Sequence, residues 1–278
     1  MEIIDGRKLQ KEILSKVKGE VERLPFQPVF CDVLVGDDPA SMQYVRMKAK
    51  MAESVGIKFH NANFPSSIST EALIKEIKEL NKVENMCGII VQLPLPLHID
   101  RQIILDSINP DLDVDCLGSV ASKEFYEGKK ERINLGYPTA LACMALLDSI
   151  NIDLAHKNIA VLGRGLLVGK PVASLLKFRG LDPAIVSSQT EGKEEIIKNA
   201  DVIISGTGKG GYITGDMIKK DTILIDAGTS EDSGSIVGDV DLKSVKDVAR
   251  YVSPVPGGVG PVTVAMLLKN VLTVAKTK

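Results

Sequence analysis

The sequence predicts an α/β protein of two domains, each built on a largely parallel sheet. Three observations carry this. Strand-like and helix-like segments alternate from end to end, the pattern of chained βα units. The chain has 278 residues, enough for two ordinary domains with sizeable cores. In the second half a glycine loop, Gly163-x-Gly165-x-x-x-Gly169, stands between a short apolar run and a helix. That is where a doubly wound sheet turns from strand to helix.

In the first half, Gly6 to Arg23 reads as a helix and Val29 to Val35 as a strand. A helix from Pro39 to Val55 follows, because Asp37 or Asp38 can cap it, Pro39 fits its first turn and Gly56 suits the position past its end. Ile57 to Asn63 reads as a strand. Thr70 to Lys82 is a helix capped by Ser69 or Thr70, with Leu73, Ile74, Ile77 and Leu80 at helical spacing. Gly88 to Gln92 is a buried strand, and a helix follows near Asp100 to Ile108. Residues 118–136 are polar and read as irregular, so a domain connection is placed there or just after. Thr139 to Ile150 is an apolar linking helix.

The second half alternates more tightly. Strands are expected at Ile159 to Leu162, Ala184 to Ser187, Asp201 to Ser205 and Thr222 to Asp226. Helices are expected through Ser174 to Lys177 and over Lys193 to Asn199. A last apolar helix spans Val262 to Ala275. This is a Rossmann-like, doubly wound nucleotide-binding layout.

Bulk composition removes several function classes. Hydrophobic residues make up 44% and charged residues 25%, ordinary for a soluble globular protein. A net charge of −2 argues against a general nucleic-acid surface. The cysteines Cys31, Cys87, Cys116 and Cys143 form no CxxC pair and read as reduced thiols, not as a disulfide framework or zinc site. No apolar run is long enough to span a bilayer, and no leader pattern opens the chain, so the cytoplasm is the expected location. A phosphate loop of the ATPase type is absent from the sequence.

Four segments carry candidate chemistry. In Val35 to Lys50, Tyr44 and Lys48 stand four apart and share one helical face. A lysine beside a tyrosine on a partly apolar face can have a lowered pKa and serve as acid or base; a lone lysine more often lays its stem along the surface. In Cys87 to Leu97, Gln92 ends a strand where open α/β sheets present ligand groups, although a buried glutamine more often satisfies backbone groups, and Pro94 and Pro96 stiffen the exit. In Asn109 to Cys116, the acids Asp111, Asp113 and Asp115 are turn formers or a poor calcium loop, since nothing completes the calcium spacing. In Tyr251 to Thr263, three prolines and three glycines fall between Pro254 and Pro261. That loop is built for one unusual backbone shape, with Gly257, Gly258 and Gly260 admitting a flat ligand and Thr263 at the mouth of the next helix.

The glycine loop suits a pyrophosphate, with Gly163, Gly165 and Gly169 allowing close backbone approach. An NAD site usually has an acid at the end of the second strand. Here that strand ends in Ser187 and Ser188 with Arg164 in the loop, which favours a 2′-phosphate and therefore NADP. The strand-end loops add Thr207, Gly228 and Thr229, and the start of the last helix adds Thr263, as further cofactor contacts.

Together the four segments resemble the bifunctional methylenetetrahydrofolate dehydrogenase/cyclohydrolase family, over nearly the whole chain. Its motifs are matched by Gly36, Ser41, Tyr44 and Lys48, by Val91 to Pro96, by Asp115, and by Pro254 to Thr263. Leu112, Cys116, Tyr137 to Ala140 and Gly165 depart from the usual pattern. The resemblance implies NADP-dependent oxidation of 5,10-methylenetetrahydrofolate and hydrolysis of the methenyl product to 10-formyltetrahydrofolate. It implies a folate domain over residues 1–137, completed by 262–278, an NADP domain over 138–261, a ligand cleft between them, and a homodimer. Lys48 would be the acid/base, Tyr44 and Gln92 would set it, and Asp115 would take the pterin N–H groups. Leu93, Pro256, Gly257 and Gly260 would contact folate. A dehydrogenase without the hydrolase, and a non-catalytic folate or NADP sensor, are the other readings. A shikimate-type reductase would share the layout and leave the Pro254 to Thr263 loop unexplained.

Overall fold

The computed structural model describes residues 1–128, 135–232 and 234–278. It separates into two compact units, Met1–Lys11 with Thr139–Met266, and Glu12–Pro138 with Leu267–Lys278.

In chain order the first elements are β1 (Glu2–Ile3), α1 (Gly6–Val21), β2 (Val29–Val35), α2 (Pro39–Ser54), β3 (Lys58–Phe64), α3 (Thr70–Leu80) and β4 (Met86–Val91). Next come α4 (Arg101–Asp106), α5 (Ser119–Glu127), α6 (Pro138–Ser149), β5 (Ile159–Leu162), α7 (Gly169–Phe178), β6 (Ala184–Val186) and α8 (Lys193–Asn199). The chain closes with β7 (Val202–Ser205), β8 (Ile223–Asp226), β9 (Ser230–Asp232), β10 (Ser235–Val237), β11 (Tyr251–Ser253) and α9 (Val259–Ala275).

The helix caps follow from the sequence. The Asp38 carboxylate accepts the Ser41 N–H at 2.8 Å, and Pro39 takes the first turn. Ser69 caps α3 by accepting the Ala72 N–H, and α3 buries Leu73, Ile77 and Leu80 along one face. Gly56 holds φ +84 just past α2, the left-handed position that only glycine adopts at low cost.

Four expectations change. Ser119–Glu127 is helical rather than irregular; it buries Ala121 and Phe125, four apart, and ends at Gly128 in the left-handed region. The rest of the segment expected to be irregular, residues 129–134, lies outside the described residues. α9 begins at Val259, three residues early, so Pro261 falls in its first turn. Thr263 is therefore a turn inside the helix, where its hydroxyl donates to the Val259 carbonyl at 3.1 Å. β1 and the β9–β10 hairpin were not expected.

One unit holds a three-stranded parallel sheet in the order β3-β2-β4. Its core joins Phe30, Ile77, Met86 and Ile89 to Leu268 and Val271 of α9. The other unit holds a six-stranded sheet in the order β1-β11-β8-β7-β5-β6, every neighbouring pair parallel. The chain runs from β5 outward to β6, then returns to pair β7 on the other side of β5. The switch point of this doubly wound sheet therefore lies at the C-terminal ends of β5 and β7.

Candidate active site

In the three-stranded unit, α2 buries Ser41, Val45, Lys48 and Ala52, a single face at spacings of three and four. Lys48 is thus drawn inward, with 6% of its surface exposed, while Tyr44 one turn earlier keeps 48% exposed. Two groups meet the Lys48 ammonium. It donates to Gln92 Oε1 at 2.8 Å, and Asp32 Oδ2 lies 2.6 Å away. Gln92 follows β4 directly, and its N–H continues the ladder to the Val33 carbonyl. Its side-chain NH₂ donates to the Leu93 carbonyl at 3.0 Å, which leaves the oxygen to face Lys48.

Asp32 is a carboxylate in the middle of a fully buried strand. Burial pushes its carboxyl above the ordinary range, and Lys48 opposes that shift. Sequence reasoning missed it. The available signal was an acid inside an otherwise apolar seven-residue strand, a place where acids occur only when partnered.

Asp115 lies on the loop between α4 and α5. Ile89 donates to the Leu112 carbonyl at 2.8 Å, so this loop runs beside β4. Leu112 is buried in the core. Asp113 is buried and accepts the Gly118 N–H at 2.7 Å, which makes it a loop anchor instead of a metal ligand. Cys116 occupies φ +59 with its thiol buried, a left-handed turn that a non-glycine residue adopts at some cost. Burial pushes the half-buried Asp115 carboxyl up to about 7; Lys48 pulls it down, while Asp113 and Asp32 push it further up. The structure therefore brings Lys48, Gln92 and Asp115 into one electrostatic neighbourhood, with Asp32 beneath.

In the six-stranded unit, a cavity of about 350 Å³ opens at the switch point, lined by Gly163, Arg164, Gly165, Ser188, Thr207 and others. Gly163 is needed there: a Cβ on it would come within 2.6 Å of the Gly206 carbonyl, and its φ is +102. Gly169 is needed beneath, where a Cβ would overlap the Gly163 carbonyl. Lys193 and Lys209 also line the cavity, two cations the sequence reading did not single out. Glycines at close approach, three cations and the serine pair fit a phosphorylated dinucleotide. Gly228, Thr229 and Thr263 are not among the lining residues. Pro256, Gly257 and Gly260 belong to this same unit, and Gly257 takes φ +111.

Two buried carboxylates shape the cavity rim. Asp239 Oδ2 accepts the Ser205 hydroxyl and the Thr207 N–H, at 2.6 and 2.7 Å, and Oδ1 accepts the Lys209 N–H at 2.8 Å. Asp226 in turn accepts the N–H groups of Gly228, Asp239 and Val240. Burial pushes Asp226 up to about 6 against those three hydrogen bonds.

Residues 4–115 match the description "Tetrahydrofolate dehydrogenase/cyclohydrolase, catalytic domain", and residues 137–278 match its "NAD(P)-binding domain". The chain is 42% identical over 287 residues to the "Bifunctional protein FolD" of Nitratiruptor sp., covering 100% of this chain and 99% of that one. It superposes on the bifunctional FolD methylenetetrahydrofolate dehydrogenase/cyclohydrolase of Campylobacter jejuni with TM-score 0.94 and 36% identity, covering 100% and 99%. It also superposes on the Trypanosoma brucei FolD enzyme complexed with NADP cofactor and an inhibitor, with TM-score 0.91 and 36% identity, covering 99% and 97%.

Proposed function

Because the chain belongs to the tetrahydrofolate dehydrogenase/cyclohydrolase family, we propose that Lys48, Gln92 and Asp115, with Tyr44 beside them, are where it handles folate. The enzyme oxidises 5,10-methylenetetrahydrofolate with NADP and hydrolyses the methenyl product to 10-formyltetrahydrofolate. One observation carries the residue assignment: a buried lysine ammonium held between an amide oxygen at 2.8 Å and a carboxylate at 2.6 Å, at the C-terminal end of a parallel sheet.

NADP, when bound, supplies the hydride acceptor. Gly163, Arg164, Gly165, Ser188 and Thr207 would hold it, with Gly169 packing the loop and Lys193 and Lys209 adding charge. In the hydrolytic step, water bonds to the methenyl carbon and gives one proton to the Lys48 amine. The bond from that carbon to N5 then breaks, and Lys48 delivers a proton to N5. Of the two water protons, one ends on N5 and one is released. Gln92 orients the Lys48 nitrogen. Asp115 accepts the paired N–H groups of the pterin, which only a carboxylate can match with two acceptors.

The test follows the methenyl and NADPH absorbances in one cuvette. Wild-type enzyme should show NADPH accumulating while the methenyl band stays low. Lys48→Ala should let the methenyl band build up, by a cyclohydrolase loss of about 10²–10⁴-fold. A loss of less than about tenfold would remove Lys48 from its role.

We further take the enzyme to be a cytoplasmic homodimer that feeds one-carbon units into purine synthesis, with no nucleic-acid or membrane partner. The family resemblance supports the dimer and the pathway, and the net charge of −2 supports the lack of a nucleic-acid partner. No helix among the described residues is long and apolar enough to cross a membrane. Sedimentation equilibrium at micromolar concentration checks the dimer.

A further inference from the structure

Asp32 sits midway along β2, the central strand of its sheet, with no exposed surface. Its neighbours in register, Asn61 of β3 and Ile90 of β4, carry no charge. A carboxylate in such a place is costly unless paired. Its pair is Lys48 at 2.6 Å, and no second donor reaches the carboxylate among the described residues. Lys48's other partner, Gln92 Oε1, accepts a hydrogen bond but does not take up a proton in water.

We propose that Asp32 is a positioning residue that stores the Lys48 proton. The pair exchanges between ammonium–carboxylate and amine–carboxylic acid, so Lys48 becomes a neutral base without surrendering its proton to solvent. The proposal rests on Lys48 as the acid/base group argued above.

The exchange moves one proton along the contact and leaves the net charge of the pair at zero. That matters because the methenyl substrate is a cation, and a lone ammonium beside it would repel it. Among the described residues, three titratable groups interact with Asp32. Lys48 comes from α2, and Asp115, from the loop after α4, feels both members of the pair. Cys31 adjoins on β2, where burial and Asp32 hold its thiol well above the usual range. Burial of Asp32 favours its protonated form, the direction the exchange needs.

The experiment measures cyclohydrolase kcat/KM against pH, with 5,10-methenyltetrahydrofolate as substrate, for wild type, Asp32→Asn, Asp32→Glu and Lys48→Ala. Asp32→Asn should move the acid limb upward by about one pH unit or more, which is about tenfold in rate on that limb. Activity should recover toward alkaline pH, where hydroxide supplies the neutral amine. Asp32→Glu keeps a proton store and should leave the limb in place. An equal loss at every pH, or no loss in Asp32→Asn, overturns the proposal. Should Asp32→Asn fail to fold, infrared spectroscopy of the wild-type enzyme decides. A carboxylic-acid band that grows on binding a cationic folate analogue, and moves in Asp32→Glu, supports the exchange; its absence overturns it. Lys48→Ala with normal hydrolysis defeats the assignment of Lys48 itself. Lys48→Ala inactive, with Asp32→Asn unchanged, defeats only the role of Asp32.

Discussion

Asn270, on the last helix, donates its side-chain amide to the carbonyl of Val114, the residue before Asp115, at 2.8 Å. The other N–H of the same amide reaches the Gly136 carbonyl at 2.7 Å. The position of the Asp115 loop is thus set in part by a buried residue 156 positions later in the chain. Asn270→Leu removes both donors and leaves two buried carbonyls without them. We expect a stability loss of about 1–3 kcal/mol and a raised folate KM, with NADP affinity unchanged. Thermal melts and the two Michaelis constants check this, and an unaltered folate KM would mean the loop keeps its shape unaided.

Lys48→Ala leaves Asp32 as a buried acid without a counter-charge. Such a break costs about 3–5 kcal/mol while the acid stays ionised. Asp32 already has a raised pKa, and losing Lys48 removes the two influences that lower it. A raised carboxyl stabilises the fold below its unfolded pKa, and that contribution is lost as pH rises through the folded value. The deficit of the variant relative to wild type should therefore shrink on acidification and widen toward alkaline pH. Urea melts from pH 5 to 8 measure it, and a deficit independent of pH would show that Asp32 does not titrate.

Arg164→Ala should weaken NADP use and spare NAD. A charge-assisted hydrogen bond to phosphate contributes roughly 1.5–3 kcal/mol, which is a preference reduced by about 10–150-fold. Lys193→Ala should act in the same direction, since Lys193 lines the same cavity. Equal weakening for both cofactors would move Arg164 to the pyrophosphate.

Burial pushes the Asp115 carboxyl up to about 7. Only the ionised form offers two acceptors to the pterin. Folate affinity should rise with pH through that region and fall by up to about tenfold per unit below it. Asp115→Asn should bind weakly and show a flat profile between pH 5.5 and 8. Isothermal titration with the folate substrate tests both, and an identical pH dependence in the variant would clear Asp115 of the effect.

Asp239→Asn keeps the shape of the side chain but turns one of its acceptors into a donor. Among the described residues its carboxylate accepts hydrogen bonds from the backbone of Thr207 and Lys209 and from the Ser205 hydroxyl. We expect a raised NADP KM with folate KM preserved. Loss of both together, with a lowered melting temperature, would mean the carboxylate serves stability alone.

Much of the fold was legible in the sequence because most elements bury long, periodic faces. β2, β5 and α8 match their expected limits, and the glycine loop lies where a strand turns into a helix. α5 was hidden because Ser119–Glu127 buries only two residues, Ala121 and Phe125, too few for a periodic pattern to show. The early start of α9 was masked by Gly260 and Pro261, which read as loop residues yet fit a first turn. At the site, Lys48 and Gln92 were legible through local spacing and a strand end. Asp32 was not, because its role depends on a contact with a residue sixteen positions away on another element, and no local pattern encodes that.

The last helix has a consequence for how the protein is made. Leu267, Leu268, Val271 and Leu272 belong to the same core as Phe30, Ile77 and Ile89. Met1–Lys11, likewise, groups with residues that start at Thr139. Neither unit is a continuous piece of gene. During synthesis the sheet that carries Lys48 and Gln92 must wait, its apolar face uncovered, until Leu267–Lys278 has left the ribosome. A fragment cut at Pro138 would lack that cover and would keep Met1–Lys11, which groups with the other unit, so no single cut in the chain separates the two units.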